Sequence, residues 1–297
     1  MSSERINIFS LTKRINRPLI LDGAMGSLLE QKKLIAKDQL WSAAANLTAS
    51  DKVLKIHRDY IEAGADIITT NTFRTNPNSL RKSAIRNYKN VIKKAVWLAF
   101  QARENNRAVL IAGSNPPAED CYQAERTITN KQLESNHKNH IDCLFESEVD
   151  FILNETQSHF DEIEIICNHC NKNKIPFVVS LFFTKKLKLL SGENVDYVIN
   201  FINDFNPLAI AFNCIDAASL KKLYSKINPD FNWGFYLNCF KDNFSTGKIS
   251  CVISPKEYLN QVNLFMRKRP SFIGACCGSN PNHIRLIKQM LNGKFRN

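Results

Sequence analysis

The chain lacks any run of about 18 apolar residues, so no helix is expected to cross a membrane. It also lacks an apolar leader, because Glu4, Arg5, Lys13, Arg14 and Arg17 break up its start. Export is disfavoured and the cytoplasm is the expected compartment, although the basic start leaves a transit peptide open. No Gly-x-Gly-x-x-Gly follows the first apolar run; Asp22-Gly23-Ala24-Met25-Gly26 stands there instead, which removes the dinucleotide-binding fingerprint. No long Gly/Ser/Pro linker, internal repeat or low-complexity tract marks a boundary, so residues 1–297 are expected to form one domain. An even cysteine count is missing too. Nine cysteines suit a reducing compartment better than a disulfide framework.

What is present is a hydrophobic fraction of 44%, enough for a substantial core, and a net charge of +12. The basic residues are scattered. Their densest cluster, Arg267-Lys268-Arg269, lies between a helical pattern and an apolar run and reads as a solvated loop. Neither a nucleic-acid partner nor a membrane partner is expected; small molecules are.

Short apolar runs recur, each followed by an amphipathic stretch. The candidate strands are 19–21, 66–70, 108–112, 151–153, 177–181, 208–212, 233–237 and 272–275. Helical spacing of apolar residues occurs over 52–63, 85–104, 161–170, 195–205 and 255–266, the last opened by Ser254-Pro255. Alternating βα units with continuous apolar strands imply a parallel sheet. Eight such units fit a closed (β/α)8 TIM-type barrel better than an open doubly wound sheet. An α/β barrel also uses about 250 residues as one domain.

Active sites of such barrels lie at the C-terminal ends of the strands. Here those ends are polar: Asp22-Gly23, Thr70-Asn71-Thr72, Gly113-Ser114-Asn115, Asn154-Glu155-Thr156, Asn213-Cys214, Asn238 and Cys276-Cys277. Three thiolates from two strand ends, Cys214 with Cys276 and Cys277, can hold one zinc ion and leave a fourth tetrahedral position open, the mark of a catalytic site. None of the three belongs to a Cys-x-x-Cys pair, and packing as small hydrophobes is the plain alternative. Convergence on one barrel mouth favours the metal. Asp22 and Glu155 supply two carboxylates for an ammonium group, and the amides around Gly23, Ala24 and Met25 could hold a carboxylate. A zwitterionic amino acid fits that arrangement. Thr72, Ser114 and Asp216 read equally well as helix caps. The six histidines read as structural or surface residues, with His283 in the final helix.

In this order the motifs resemble the zinc-dependent homocysteine S-methyltransferases, the group that includes betaine–homocysteine methyltransferase and the homocysteine module of cobalamin-dependent methionine synthase. The resemblance runs through Leu21-Asp22-Gly23-Ala24-Met25-Gly26, Gly64 to Phe73, Asn154-Glu155-Thr156, Asn213-Cys214 and Gly274-Ala275-Cys276-Cys277-Gly278. It implies Cys214, Cys276 and Cys277 as zinc ligands. It places Asp22 and Glu155 near the homocysteine amino group, and Asn71 and Asn213 on the wall of that pocket. Departures fall in 114–122, 215–217 and 237–240, segments that would form the donor side. The resemblance therefore implies methyl transfer from an onium donor, S-methylmethionine or S-adenosylmethionine, to homocysteine. It leaves open another donor such as betaine, a selenol acceptor, or a non-catalytic zinc- or amino-acid-binding barrel. No appended cobalamin or folate domain and no long C-terminal oligomerisation arm are expected.

Overall fold

Eight short strands supply the frame: β1 (Leu19–Ile20), β2 (Ile67–Thr69), β3 (Leu110–Asn115), β4 (Phe151–Gln157), β5 (Phe177–Leu181), β6 (Ala209–Asn213), β7 (Trp233–Leu237) and β8 (Phe272–Ala275). The structure is a computed structural model and describes residues 12, 16–35, 40–81, 83, 87–226, 231–239 and 253–293. All the paired strands are parallel, in the order β1-β8-β7-β6-β5-β4-β3-β2. The ring closes between β1 and β2 through a parallel bridge from Leu21 to Ile67. Two backbone hydrogen bonds reinforce it, Asp66 N to Ile20 O at 2.7 Å and Asp22 N to Ile67 O at 2.9 Å. The Asp66 carboxylate also accepts from Ile20 N and pairs with Arg17, tying the foot of the seam. The result is a (β/α)8 barrel.

The expected bounds hold for β5, β7 and β8. β3, β4 and β6 run further than their apolar cores, to Asn115, Gln157 and Asn213. Strand side chains alternate between faces, so every second residue enters the barrel. Leu110 and Ala112 lead inward to Ser114; Phe151 and Leu153 lead to Glu155; Ala209 and Ala211 lead to Asn213. The inner core is apolar up to that level. Its top layer is polar, because there the barrel opens.

Helices cover the outside of the sheet and bury a separate apolar layer against it. The expected helices are present as Ser50–Ala63, Tyr88–Arg103, Phe160–Lys172, Val195–Asn203 and Pro255–Asn263, with Pro281–Leu291 carrying His283. A further helix, Asn130–Glu146, follows β3 and opens with a reciprocal capping box between Thr129 and Gln132. Of the cluster 267–269, expected as loop, Arg267 and Lys268 join Met266 in one 3-10 turn. Arg267 and Arg269 are exposed there, while the Lys268 carbonyl accepts from the buried Trp233 indole. Among the described residues no helix is long and apolar enough to cross a membrane.

Candidate metal centre and substrate cavity

The polar mouth of the barrel opens into a cavity of about 640 Å³. Three sulfurs stand in its wall. Cys214 follows β6, and Cys276 and Cys277 follow β8, so their approach depends on β6, β7 and β8 being neighbours. The Sγ separations are 2.8 Å for Cys214–Cys276, 3.8 Å for Cys214–Cys277 and 4.0 Å for Cys276–Cys277. Zinc–sulfur bonds of about 2.3 Å at tetrahedral angles put ligand sulfurs about 3.8 Å apart. Two of the three pairs already match, and the third would have to part by about 1 Å. Among the described residues these three form the one cluster of side chains able to share a metal ion. Three soft donors on one side of an open cavity suit zinc.

The backbone is bent to make this cluster. Cys214 has φ 54°, a left-handed conformation uncommon for a residue with a side chain. Asn238 holds it there: its Nδ2 donates to Cys214 O at 2.9 Å, and its own amide donates to Ile215 O. Hydrogen bonds from Cys276, Cys277, Tyr122 and Thr156 push the Cys214 thiol well below its ordinary value despite burial. The Cys276 and Cys277 thiols, which face Cys214, are pushed up by that contact and by burial.

β4 supplies the second bent element. Its register shifts between Asn154 and Gln157, and the β-branched Thr156 takes φ 59°. Asn213 clamps this bulge from both sides, accepting from Thr156 N at 2.9 Å and donating to Thr156 Oγ1 at 2.8 Å. It also accepts from Ser180 Oγ and points Nδ2 at Cys276 Sγ, 4.0 Å away. Asn213 is thus fully buried behind the cavity. Both ends of its amide brace Thr156 and Cys276.

The bulge turns Glu155 into the cavity, where Ser114 Oγ donates to it. Burial pushes Glu155 up to about 7. Asp22 lines the same cavity and accepts from Thr69 N and Thr69 Oγ1. Burial raises it well above the carboxylate range, and the nearby Glu155 adds to the shift. Two buried carboxylates with little positive charge beside them are poised for a cationic ligand.

Gly23, Ala24 and Met25 line the cavity next to Asp22. A side chain at Gly23 would place Cβ 2.5 Å from Ser279 Oγ and 2.7 Å from Tyr60 Oη, so only glycine fits. The Ala24 amide is already donated to Ser279 Oγ at 2.9 Å and is not free for a ligand. Asn71 reaches the cavity, but its amide group is spent on Ser42 O and Asn46 Oδ1. Its service is to hold the segment that carries Trp41 over Gly26, where the ring leaves no room for a Cβ.

Of the three residues read as possible caps, Asp216 caps the helix Ala217–Tyr224. Thr72 instead donates to Ser114 O, between strand ends. None of the six histidines lines the cavity. A Cys-x-x-Cys pair does occur, at Cys167 and Cys170, but both side chains are buried in the outer layer on Phe160–Lys172 with their thiols raised by burial. Phe73, Arg74, Cys121, Tyr122 and Tyr236 complete the upper wall. Four of them stand on loops, whose direction shows only once the ring closes, and Tyr236 stands in β7 among apolar neighbours.

The chain is similar over more than nine-tenths of its length to proteins named as methyltransferases. A maize protein named homocysteine S-methyltransferase 2 is 26% identical over 92% of this chain and 90% of its own. A selenocysteine Se-methyltransferase of Brassica oleracea is 22% identical over 95% and 91%. The metallated homocysteine methyltransferase MmuM of Escherichia coli superposes with a TM-score of 0.80 at 24% identity, covering 96% of this chain and all of its own, and bears on the fold. The homocysteine S-methyltransferase family model matches residues 19–291, and the chain belongs to that family of enzymes.

Proposed function

We propose that this chain moves a methyl group from an onium donor, S-methylmethionine or S-adenosylmethionine, to the sulfur of homocysteine, forming methionine with a zinc ion held by Cys214, Cys276 and Cys277. The observation that carries the reading is one cavity lined by three sulfurs within 4.0 Å of each other and by the two buried acids Asp22 and Glu155. A bound zinc ion would supply deprotonation of the acceptor thiol at neutral pH and hold it in the open ligand position. The Escherichia coli relative is described in a metallated form, which agrees with a metal ion in this kind of barrel.

The protein's own residues do the rest. Asp22 and Glu155 take the acceptor's ammonium, and the turn at Gly23 and Met25 faces its carboxylate. Ser114 and Thr69 fix the two acids, while Asn213 and Asn238 fix the sulfurs' carriers. Trp41, Phe73, Tyr122 and Tyr236 give an aromatic wall, which suits a cationic methyl donor. In the transfer one carbon–sulfur bond forms and one breaks. The bonding pair stays with the departing sulfide, so no general base is needed once the thiol proton has gone. This accounts for a cavity without histidine.

A panel of S-methylmethionine, S-adenosylmethionine and betaine against homocysteine and selenocysteine, read by mass spectrometry, tests the reading. Methionine formed from a sulfonium donor is expected. Stoichiometric zinc with no turnover on any donor would make the chain a binding protein. Glu155→Gln is expected to keep its zinc and to weaken homocysteine binding by about 2–5 kcal/mol, the range for one desolvated charge-assisted contact. Unchanged homocysteine kinetics in that variant would remove Glu155 from the site.

A further inference from the structure

Arg74 ends the turn after β2 and is the one lysine, arginine or histidine among the described residues that line the cavity. Its side chain is 20% exposed. A guanidinium carries five N–H donors and does not give up its charge. Here it makes no hydrogen bond among the described residues. Its contacts are Asp120, at 3.7 Å, and the ring of Phe73, 5.6 Å from centroid to guanidinium carbon. Asp120 is a weak partner: it is half-exposed, and its Oδ1 already accepts from Tyr122 N at 2.9 Å. A largely buried guanidinium with its donors unspent, facing a cavity, is matched by a carboxylate that arrives with a ligand.

The other charges of the cavity say which ligand. Asp22 and Glu155 answer the ammonium of the acceptor at the sulfur end. Arg74 lines the cavity with Phe73, Cys121 and Tyr122, on the segments after β2 and β3, whereas Asp22 and Glu155 belong to the ends of β1 and β4. A bare onium placed there would meet an arginine that Asp120 offsets only weakly, and be repelled. An onium that carries its own carboxylate would neutralise the arginine and leave its cationic end to the aromatic wall.

Resting on the function proposed above, we propose that Arg74 binds the carboxylate of the methyl donor and so restricts the donor to onium carboxylates. The pair Arg74–Asp120 lies between the β2 turn and the segment after β3, so both walls of the donor side contribute.

The test uses the zinc-loaded full chain and two donors, S-methylmethionine and trimethylsulfonium, which has no carboxylate. For the wild type, turnover with S-methylmethionine and little with trimethylsulfonium is expected. Arg74→Gln is expected to raise KM for S-methylmethionine about 10–100-fold, the effect of one charged hydrogen-bonded contact, and to raise activity with trimethylsulfonium. Arg74→Lys, which keeps the charge, should recover part of the loss. Asp120→Asn keeps the acceptor for Tyr122 N and is expected to change KM only a few-fold. Equal effects of Arg74→Gln on both donors, or an Asp120→Asn variant as impaired as Arg74→Gln, would overturn the assignment and leave Arg74 as half of a structural pair. Calorimetric titration of S-methylmethionine without homocysteine keeps this separate from the reaction itself. Binding by the wild type that Arg74→Gln loses supports the assignment even if no methionine forms, and absence of binding to either protein sinks it.

Discussion

Replacing Cys276 by alanine is expected to empty the protein of zinc and to abolish methyl transfer together. Cys276 lies 2.8 Å from Cys214 and 4.0 Å from Cys277, so it belongs to the cluster of three. Its removal leaves two thiols on different strands, too few for a site that must hold an ion and still present an open position. Without the ion, the acceptor thiol has an ordinary pKa near 8.5 and only a small thiolate fraction at neutral pH. The loss in kcat/KM should exceed the roughly 10–100-fold that removing a mere supporting partner costs at metal sites. The contrasting variant is the double replacement Cys167→Ala/Cys170→Ala. That pair has the spacing most often read as a metal site, yet it lies in the outer layer away from the cavity. It should lose some stability from two small cavities and keep its zinc and activity. Metal analysis by mass spectrometry beside steady-state rates decides the matter. Full zinc in Cys276→Ala, or zinc lost from the helical pair, would reverse the assignment. Cys251, also expected to tolerate replacement, lies outside the described residues.

The barrel was readable because its strands are apolar runs between polar punctuation, and β5, β7 and β8 begin and end where hydrophobicity does. β3, β4 and β6 outran that signal for a physical reason. Their last residues, Ser114, Glu155 and Asn213 among them, are polar because they form the working layer, so a rule based on burial stops one layer short of the site. The helix Asn130–Glu146 was missed because its buried face carries Asn136, His137 and His140, which do not register as apolar. The three cysteines and both acids were legible as strand ends. The work of Asn213 and Asn71 was not, since a side chain seen as polar gives no hint whether it faces the cavity or the residues behind it. Arg74 and Tyr122 depend on loops whose placement follows from contacts far away in sequence. One such contact is the buried ion cluster beneath the segment after β3.

That cluster carries the largest expected stability effect. Glu162, on the first turn of Phe160–Lys172, is 2% exposed. It meets His137 Nε2 at 2.5 Å and Arg126 at 3.0 Å, and accepts from Ala118 N at 2.7 Å. Burial alone would raise its pKa. The hydrogen bond and charge of His137, the Ala118 amide and Arg126 outweigh burial and hold it down to about 2. The stabilisation is therefore complete above the unfolded-state value near 4.5 and is lost as the pH falls from there toward 2. Removing one partner of a buried charged set costs about 3–5 kcal/mol, because the others stay buried without it. Glu162→Ala should accordingly melt about 6–10 °C lower at pH 7, if each kcal/mol is worth about 2 °C in a chain of this size. Its deficit relative to the wild type should shrink as the pH falls below about 4.5. The same variant frees the Ala118 amide, which anchors the segment carrying Cys121 and Tyr122 into the cavity wall. A rise in donor KM with zinc content unchanged should accompany the lower melting point. Melting curves across pH, read with zinc content and donor kinetics, test both halves. A melting point equal to that of the wild type at pH 7 would show that the cluster only fills space. A lower one with unaltered donor kinetics would confine it to stability.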